Sequence, residues 1–297
     1  MPQCLAFSIA DVRFALSSEH PLRPLCIGDP YTSFTNPATD VADLCIPVKI
    51  TGRKPPSTKV LQRVFEADDT WALFRKGDMR VIRYPSDRPT PFCHMVVREN
   101  WRRITIHVDR SIVTERDGNA CLSIPFRYPL DQVVLMNLLA GMRGVIVHSC
   151  GVNLNGKGPV FLAKSGGGKT TLARLLAQHG GFRILSDDRI IVRDMKRTFQ
   201  CFGTPWPGVG GMALNERVPL RALFFLAKGS RNRITPLTAT QAIERLLPVT
   251  SIPWYDIPGL SGAVKVCEDM AAAVPCYELQ FRPDGSVADL LVRHVKP

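Results

Sequence analysis

The sequence predicts a chain in two parts, a mainly β N-terminal domain at residues 1–127 and an α/β domain at residues 128–297. Three observations lead to this fold class. Short runs rich in β-branched and aromatic residues fill about the first 125 positions, helical spacing of apolar residues begins after Pro129, and strand-like and helix-like segments then alternate. At roughly 150 residues per domain, a chain of 297 residues has room for two domains.

The N-terminal strands are predicted from composition and from the turns between them. Lys76-Gly77-Asp78 is typical of a hairpin turn, as is Asp117-Gly118. Segments rich in Pro, Ser, Thr and Asn indicate loops at Ser33–Asp40 and Arg53–Ser57. We expect an antiparallel sheet with little helix, whose strands include Val60–Phe65, Trp71–Phe74, Met79–Tyr84, His94–Arg98 and Arg103–Asp109.

The C-terminal elements begin with a helix that Pro129 can open, because the N–H that proline lacks is not needed in a first turn. Gly141 and Gly144 are expected to end this helix. Thr238 and Gln241 form a capping-box pattern for a later helix that ends at Pro248. Between these helices the pattern predicts the strands Val145–Asn153, Pro159–Ala163 and Arg183–Leu185, a turn at Asn155-Gly156 and a helix over Thr170–His179.

Amino-acid composition limits the classes of protein to which this chain can belong. Hydrophobic residues make up 45% and charged residues 22%, which excludes a largely disordered chain. The nine cysteines form no C-x-x-C pair, and their odd number favours free thiols in a reducing cytosol. No signal peptide and no apolar stretch long enough to span a bilayer is found, so we expect a cytoplasmic protein without a membrane partner.

The net charge of +12 indicates an anionic partner. Arg98, Arg102 and Arg103 form a basic cluster that favours a solvated face, with a docking surface for an acidic peptide as the alternative. No nucleic-acid-binding motif accompanies the charge, so nucleic acid is not expected as a partner. The sequence is compatible with a homo-oligomer but does not predict one.

The stretch Ala163-Lys164-Ser165-Gly166-Gly167-Gly168-Lys169-Thr170 carries the chemistry. It follows an apolar strand and opens a helix, which is the context of a phosphate-binding loop, or P-loop, of Walker A type. Backbone N–H groups of a glycine-rich loop and of a helix N-terminus attract phosphate. Lys169 is expected to face solvent and to reach the β- and γ-phosphates, and the Thr170 hydroxyl to bind magnesium. Ala163 stands where such loops usually have glycine.

Two further features lie on either side of this loop. Asp187 and Asp188 end an apolar strand that we expect to lie beside the strand leading into the loop, where carboxylates can bind magnesium or accept a proton. His148 lies on the strand before the loop. A single histidine in an apolar strand is more often a core residue. The case for a functional role of His148 therefore depends on the loop and the Asp pair that follow it.

The ordered set of Val147-His148, Ala163–Thr170 and Ser186-Asp187-Asp188-Arg189 resembles HPr kinase/phosphorylases. PEP carboxykinases share this nucleotide-binding core. The chain is more similar to the HPr kinase-related bacterial serine kinases, some of which are encoded with peptide-maturation systems. That resemblance covers Tyr128–Phe281 and includes Tyr128-Pro129-Leu130-Asp131, Phe202-Gly203-Thr204-Pro205-Trp206-Pro207-Gly208 and Asn215-Glu216-Arg217-Val218-Pro219-Leu220.

The resemblance implies an ATP-dependent serine kinase with a P-loop kinase domain of the HPr kinase/PEP carboxykinase type, which transfers the γ-phosphoryl group to a peptide or protein serine. The N-terminal domain would recognise the acceptor. ATP and Mg²⁺ are the implied cofactors. Asp187 is the expected base and Asp188, with Thr170, the expected metal ligand, although the roles of the two aspartates could be exchanged. His148 would orient the base or hold a second metal, and Lys169 would contact phosphate. The nucleotide-binding residues implied are Ser165, Gly166, Gly167, Gly168, Lys169, Thr170 and Thr171.

Two departures from the resemblance leave alternatives open. The Arg-Gly segment that HPr kinase/phosphorylases use late in the active site is missing, which weakens the case for HPr as substrate and for the reverse phosphorolysis. Relatives often carry an acidic residue after the Pro207-Gly208 pair, where this chain has Val209-Gly210-Gly211. The alternatives are a non-catalytic ATP-binding regulator or scaffold, and another phosphotransfer enzyme with the PEP carboxykinase core.

Overall fold

The computed structural model describes residues 3–18, 25–36, 41–50, 60–67, 70–84, 93–109, 113–116, 119–123, 125–164, 166–196 and 198–295. The chain divides into two compact units, Met1–Leu135 and Met136–Pro297. The division falls within a helix, eight residues after the predicted boundary at 127/128. The mainly β N-terminal part and the α/β C-terminal part that the sequence predicts are both present.

The first unit is built from twelve described strands and one 3₁₀ turn, Tyr31–Phe34. The strands are β1 (Gln3–Ile9), β2 (Val12–Ser18), β3 (Leu25–Cys26), β4 (Thr35–Asn36), β5 (Leu44–Ile50), β6 (Gln62–Ala67), β7 (Trp71–Lys76), β8 (Met79–Tyr84), β9 (Cys93–Arg98), β10 (Arg103–Val108), β11 (Val113–Arg116) and β12 (Asn119–Ser123).

These strands form one nine-stranded sheet, in the order β4-β1-β2-β5-β10-β9-β8-β7-β6, and a small sheet β11-β12-β3. The expectation of an antiparallel sheet is wrong for β5, which runs parallel to both β2 and β10. The hairpin at Gly77-Asp78 is confirmed, because Lys76 pairs with Met79 across it. Part of the predicted loop Ser33–Asp40 is instead the 3₁₀ turn and β4. Residues 37–40, 53–57 and 117–118 lie outside the described residues.

The second unit alternates strands and helices. Its elements are α1 (Leu130–Gly141, which the unit boundary divides), β13 (Gly144–Asn153), β14 (Gly158–Leu162), α2 (Lys169–Gln178), β15 (Arg183–Ser186), β16 (Arg189–Met195), β17 (Thr198–Phe202), β18 (Arg217–Lys228), β19 (Arg233–Pro236), α3 (Ala239–Leu246), β20 (Thr250–Ser251), α4 (Ile257–Ala273), β21 (Cys276–Phe281) and α5 (Ser286–His294). The predicted capping box at Thr238 is confirmed, with both of its hydrogen bonds formed.

The long strand β13 separates the two strands that carry the candidate residues. Gly151 of β13 pairs with Val160 of β14 and with Ser186 of β15, so the expectation that β14 and β15 are neighbours is wrong. β14 instead runs parallel to β18, which runs parallel to β21. The carboxyl ends of β14, β18 and β21 therefore lie along one edge of the sheet.

The two faces of this sheet are covered by different helices. Val160 and Leu162 of β14 pack in a core with residues of α3 and α4. Phe161, which points to the other face, packs in a second core with residues of α2 and α5. This alternation along one strand is the period of two that a sheet buried on both faces requires. Among the described residues, no helix combines the length and the apolar character needed to cross a bilayer.

Candidate functional site

The glycine loop connects β14 to α2 at the carboxyl edge of the sheet. Gly166 and Gly168 have positive φ values of 75° and 93°, which residues with a Cβ rarely adopt. Gly168 precedes α2 without a side-chain cap. The N–H groups of the first turn of α2 are therefore open to an anion. Ser165, which the sequence assigns to the same loop, lies outside the described residues.

Lys169 is not the solvent-facing residue that the sequence led us to expect. Its side chain is buried, with only 7% of its surface exposed. Its Nζ donates to the carbonyl oxygens of Ala163 at 2.7 Å and Lys164 at 3.4 Å. These carbonyl oxygens replace the water that the Lys169 ammonium loses on burial. The loop is therefore folded around the ammonium group. Burial lowers the pKa of Lys169, although the nearby charge of Asp188 opposes this.

Asp187 holds the segment Gly208–Met212 in place. Its carboxylate is 2% exposed and accepts three backbone N–H groups. Gly208 N and Met212 N donate to Oδ1 at 2.9 and 3.3 Å, and Gly210 N donates to Oδ2 at 2.7 Å. The segment crosses so closely that a Cβ at Gly210 would overlap the carboxylate. Both oxygens of Asp187 are thus engaged by the protein.

Asp188 and His148 form a hydrogen-bonded pair that is partly exposed to solvent. His148 Nε2 lies 2.9 Å from Asp188 Oδ1, and Arg189 Nε lies 3.4 Å from Asp188 Oδ2. The two side chains of the pair are 29% and 27% exposed. Burial by itself raises the pKa of Asp188, but the His148 hydrogen bond and the charges of Arg189 and Lys169 hold it below its ordinary value. Asp188 is therefore a carboxylate at neutral pH.

These features surround one cavity of about 400 Å³. Every candidate residue that the structure describes lines it. Two of the lining residues, Gly208 and Val209, were noted in the sequence only as the place where relatives often carry an acidic residue, and not as candidate site residues. Trp206, in the segment before them, is buried, with 4% of its surface exposed. The lining residues are His148, Gly166, Gly167, Gly168, Lys169, Thr170, Thr171, Asp187, Asp188, Gly208 and Val209.

The side chains of this cavity fit magnesium bound to a nucleotide better than a metal held by protein alone. Among the described residues, no group of three or more His, Cys, Asp or Glu side chains is placed to hold a metal ion. Mg²⁺ usually takes one or two protein oxygens and completes its shell with phosphate and water oxygens. The Thr170 hydroxyl, in the first turn of α2, and the Asp188 carboxylate are the oxygens at hand.

Comparisons with known proteins identify a family and solved structures of low similarity. The model of the family described as "SynChlorMet cassette protein ScmC" matches residues 130–290. No curated protein matches the chain. A solved structure, the Hpr(Ser) kinase/phosphatase from Coxiella burnetii, aligns with a TM-score of 0.31 and 12% identity, over 50% of this chain and 94% of that one. A TM-score this low does not establish a common fold.

Proposed function

The chain belongs to the SynChlorMet cassette protein ScmC family, and we propose that its C-terminal unit is an ATP-dependent kinase that phosphorylates a serine of a peptide or protein. One observation carries this proposal. The uncapped first turn of α2, which follows the glycine loop, lines the same cavity as the partly exposed His148–Asp188 pair. An anion site thus faces a charged carboxylate that can accept a proton, the two parts that phosphoryl transfer to a hydroxyl needs.

The residues of the cavity take the following roles in this proposal. Backbone N–H groups of Gly166–Thr171 bind the phosphates, and Lys169 keeps the loop in shape through the Ala163 and Lys164 carbonyls. Thr170 binds Mg²⁺, which neutralises charge on the phosphate oxygens when it is present. Most of the rate enhancement in such a site comes from positioning and from electrostatic stabilisation.

We assign proton acceptance to Asp188 and not to Asp187, the base that the sequence favoured. The Asp187 carboxylate already accepts three hydrogen bonds from the backbone of Gly208–Met212. Asp188 is partly exposed, is held by His148, and has a lowered pKa that keeps it ionised. His148 orients the carboxylate and can share the proton that leaves the serine hydroxyl. The sequence-based role of Asp188 as a magnesium ligand is the alternative that the experiment separates from this one.

The experiment measures transfer of label from [γ-³²P]ATP and Mg²⁺ to an array of random peptides with one fixed serine. Matching peptides with alanine in that place are the control. We expect labelled serine peptides, and we expect Asp188→Asn to lower single-turnover transfer by about 100-fold or more while ATP still binds. Asp289→Asn is a matched control, because Asp289 also pairs with a histidine, His179, at 3.3 Å outside the cavity.

Two outcomes would count against these assignments. Equal labelling of serine and alanine peptides would refute the serine kinase. An Asp188→Asn protein that loses Mg²⁺–ATP affinity but keeps its single-turnover rate would make Asp188 a metal ligand.

A second candidate function, a non-catalytic nucleotide-binding protein, has its own support. The Lys169 ammonium is directed at loop carbonyls, and both Asp187 oxygens are occupied, so two groups expected to act in chemistry are engaged in holding the structure. This candidate predicts tight ATP binding without labelled product. Binding and labelling measured on one preparation distinguish the two.

A further inference from the structure

A second cavity, of about 230 Å³, lies on the other side of the segment that leads into the glycine loop. It opens at the carboxyl ends of β14 and β18, on the face that α3 covers. In open α/β sheets this edge is where ligands bind. The residues that line it are Leu162, Ala163, Lys164, Phe225, Leu226, Glu244, Arg245, Pro248 and Val249.

Residues close together in the chain line the two cavities. Ala163 and Lys164 line the second cavity, and two residues further along the chain Gly166 lines the first. The Lys169 ammonium holds the carbonyls of both Ala163 and Lys164. A molecule with its phosphates against the glycine loop could therefore extend past Lys164 into the second cavity.

The chemistry of the second cavity fits a flat heteroaromatic group with an amino substituent. Its inner wall is apolar, from Leu162, Phe225 and Val249. Of its two charged helix residues, Arg245 is engaged, because its Nη1 donates to Glu278 at 2.7 Å. Glu244 is exposed, and within the described part of the chain it has no hydrogen-bond or ion-pair partner. Glu244 is thus the side chain of α3 that can accept a hydrogen bond from an N–H group in this cavity.

We propose that this cavity binds the adenine base of a nucleotide whose phosphates lie against the glycine loop, and that Glu244 accepts a hydrogen bond from the exocyclic amino group. The inference rests on the proposed function, because it takes the phosphate site as given. It adds a base subsite and a residue that distinguishes nucleotides by their amino group.

The first experiment compares three ligands by calorimetry in the presence of Mg²⁺: tripolyphosphate, ATP, and purine riboside triphosphate, which lacks the 6-amino group. We expect ATP to bind about tenfold or more tighter than tripolyphosphate, through burial of the base. We expect ATP to bind about threefold to tenfold tighter than the analogue lacking the amino group. Glu244→Ala should abolish that second preference. Glu268→Ala, an exposed glutamate of α4 outside the cavity, should keep it.

The outcomes separate this inference from the proposal on which it rests. Equal affinity for ATP and tripolyphosphate would refute the base subsite and leave the phosphate site intact. A preference for ATP over the amino-free analogue that persists in Glu244→Ala would refute the role of Glu244. Failure of all three ligands to bind would refute the proposed function itself.

A second experiment locates the base without any substitution. Wild-type protein is irradiated with 8-azidoadenosine triphosphate, and the labelled peptides are mapped. We expect label within residues 225–226 or 244–249, and we expect an excess of ATP to prevent it. Label that ATP displaces but that maps only outside residues 162–164, 225–226 and 244–249 would overturn the placement of the base.

Discussion

The carboxylate oxygens of Asp187 accept hydrogen bonds from a glycine-rich segment beside the cavity and hold it in place. A buried carboxylate that accepts three N–H groups is well solvated by the protein, so its removal leaves three donors without partners. The segment it holds carries Val209, which is 90% exposed and lines the cavity. Asp187 thus shapes the site by fixing the position of Val209.

We predict that Asp187→Asn destabilises the protein and loosens this segment. The amide can still accept through one oxygen, but its NH₂ group faces an N–H donor, and the loss should be about 1–3 kcal/mol in the free energy of unfolding. Hydrogen exchange should speed up at the amides of Gly208, Gly210 and Met212. Unchanged exchange at these three amides would contradict the anchoring role.

Lys169→Met should affect both stability and anion binding. Methionine is unbranched like lysine but one atom shorter, and it cannot donate to the carbonyls of Ala163 and Lys164, so we expect a loss of about 1–3 kcal/mol in the free energy of unfolding. Tripolyphosphate affinity should fall as the loop loses its shape. Lys228→Met, at an exposed end of β18, removes the same charge and serves as the control. Thermal melting and calorimetry on both proteins test this, and a Lys169→Met protein indistinguishable from Lys228→Met would refute it.

Some of these residue-level features were predictable and others were not. The loop and the Asp pair are local patterns, so the sequence revealed them. The partners of Asp187 lie 21, 23 and 25 residues further along the chain, and no local pattern encodes such a contact. The burial of Lys169 depends on how the loop closes, which spacing alone does not give.

At the scale of elements, strands β9 and β10 bring two histidines together. His94 and His107 pair directly across the strands, and their rings stack in parallel with centroids 4.7 Å apart. Burial, the neighbouring His107 and the charge of Arg83 lower the pKa of His94 from 6.5 to about 4. Burial and the charge of Lys49 also lower the pKa of His107. The folded protein therefore favours the neutral form of both rings.

We predict that the protein loses stability as the pH falls from about 6.5 towards 4. In this window the unfolded chain binds the proton that the folded His94 resists, so acid favours unfolding. The contribution of His94 should be about 1–2 kcal/mol at pH 5. Urea unfolding at pH 7 and pH 5 would measure it. His94→Gln should reduce the difference between the free energies of unfolding at the two pH values, and an unchanged difference would contradict the role of His94.

The sheets also show where element-level prediction fails. The hairpin β7–β8 was predictable because its turn is encoded by two adjacent residues, Gly77 and Asp78. The neighbours of β14 were not, because β13 is long enough to pair with four strands in turn. Strand order over such distances is decided by the packing of α2 to α5, which the sequence pattern leaves open.

At the scale of the whole molecule, we extend the proposal to residues 1–127, which the resemblance implies would recognise the acceptor. The net charge of +12 exceeds what one nucleotide needs, so an acidic peptide acceptor would be attracted in a salt-dependent way. Arg103 already pairs with Glu99 at 2.7 Å, while Arg102 is exposed beside it.

We predict that reversing charge at Arg102 and Arg103 to Glu weakens binding of the labelled serine peptides and flattens its salt dependence, with ATP affinity unchanged. Arg293→Glu, on an exposed turn of α5, is a control for charge reversal elsewhere. Fluorescence anisotropy of a labelled peptide at several salt concentrations is the measurement. Unaltered peptide affinity at low salt would remove these arginines from the docking surface.

The tight contact inside the glycine loop constrains the order in which this sequence can change. A Cβ at Gly167 would lie 2.5 Å from the Cβ of Ala163 and 3.0 Å from the Lys164 carbonyl oxygen. Alanine at 163 therefore keeps 167 a glycine. Reversion of 163 to the glycine usual in such loops would remove the worse of the two overlaps. The two positions are thus epistatic, and a lineage that carries Ala163 can accept a side chain at 167 only after it has changed 163 first.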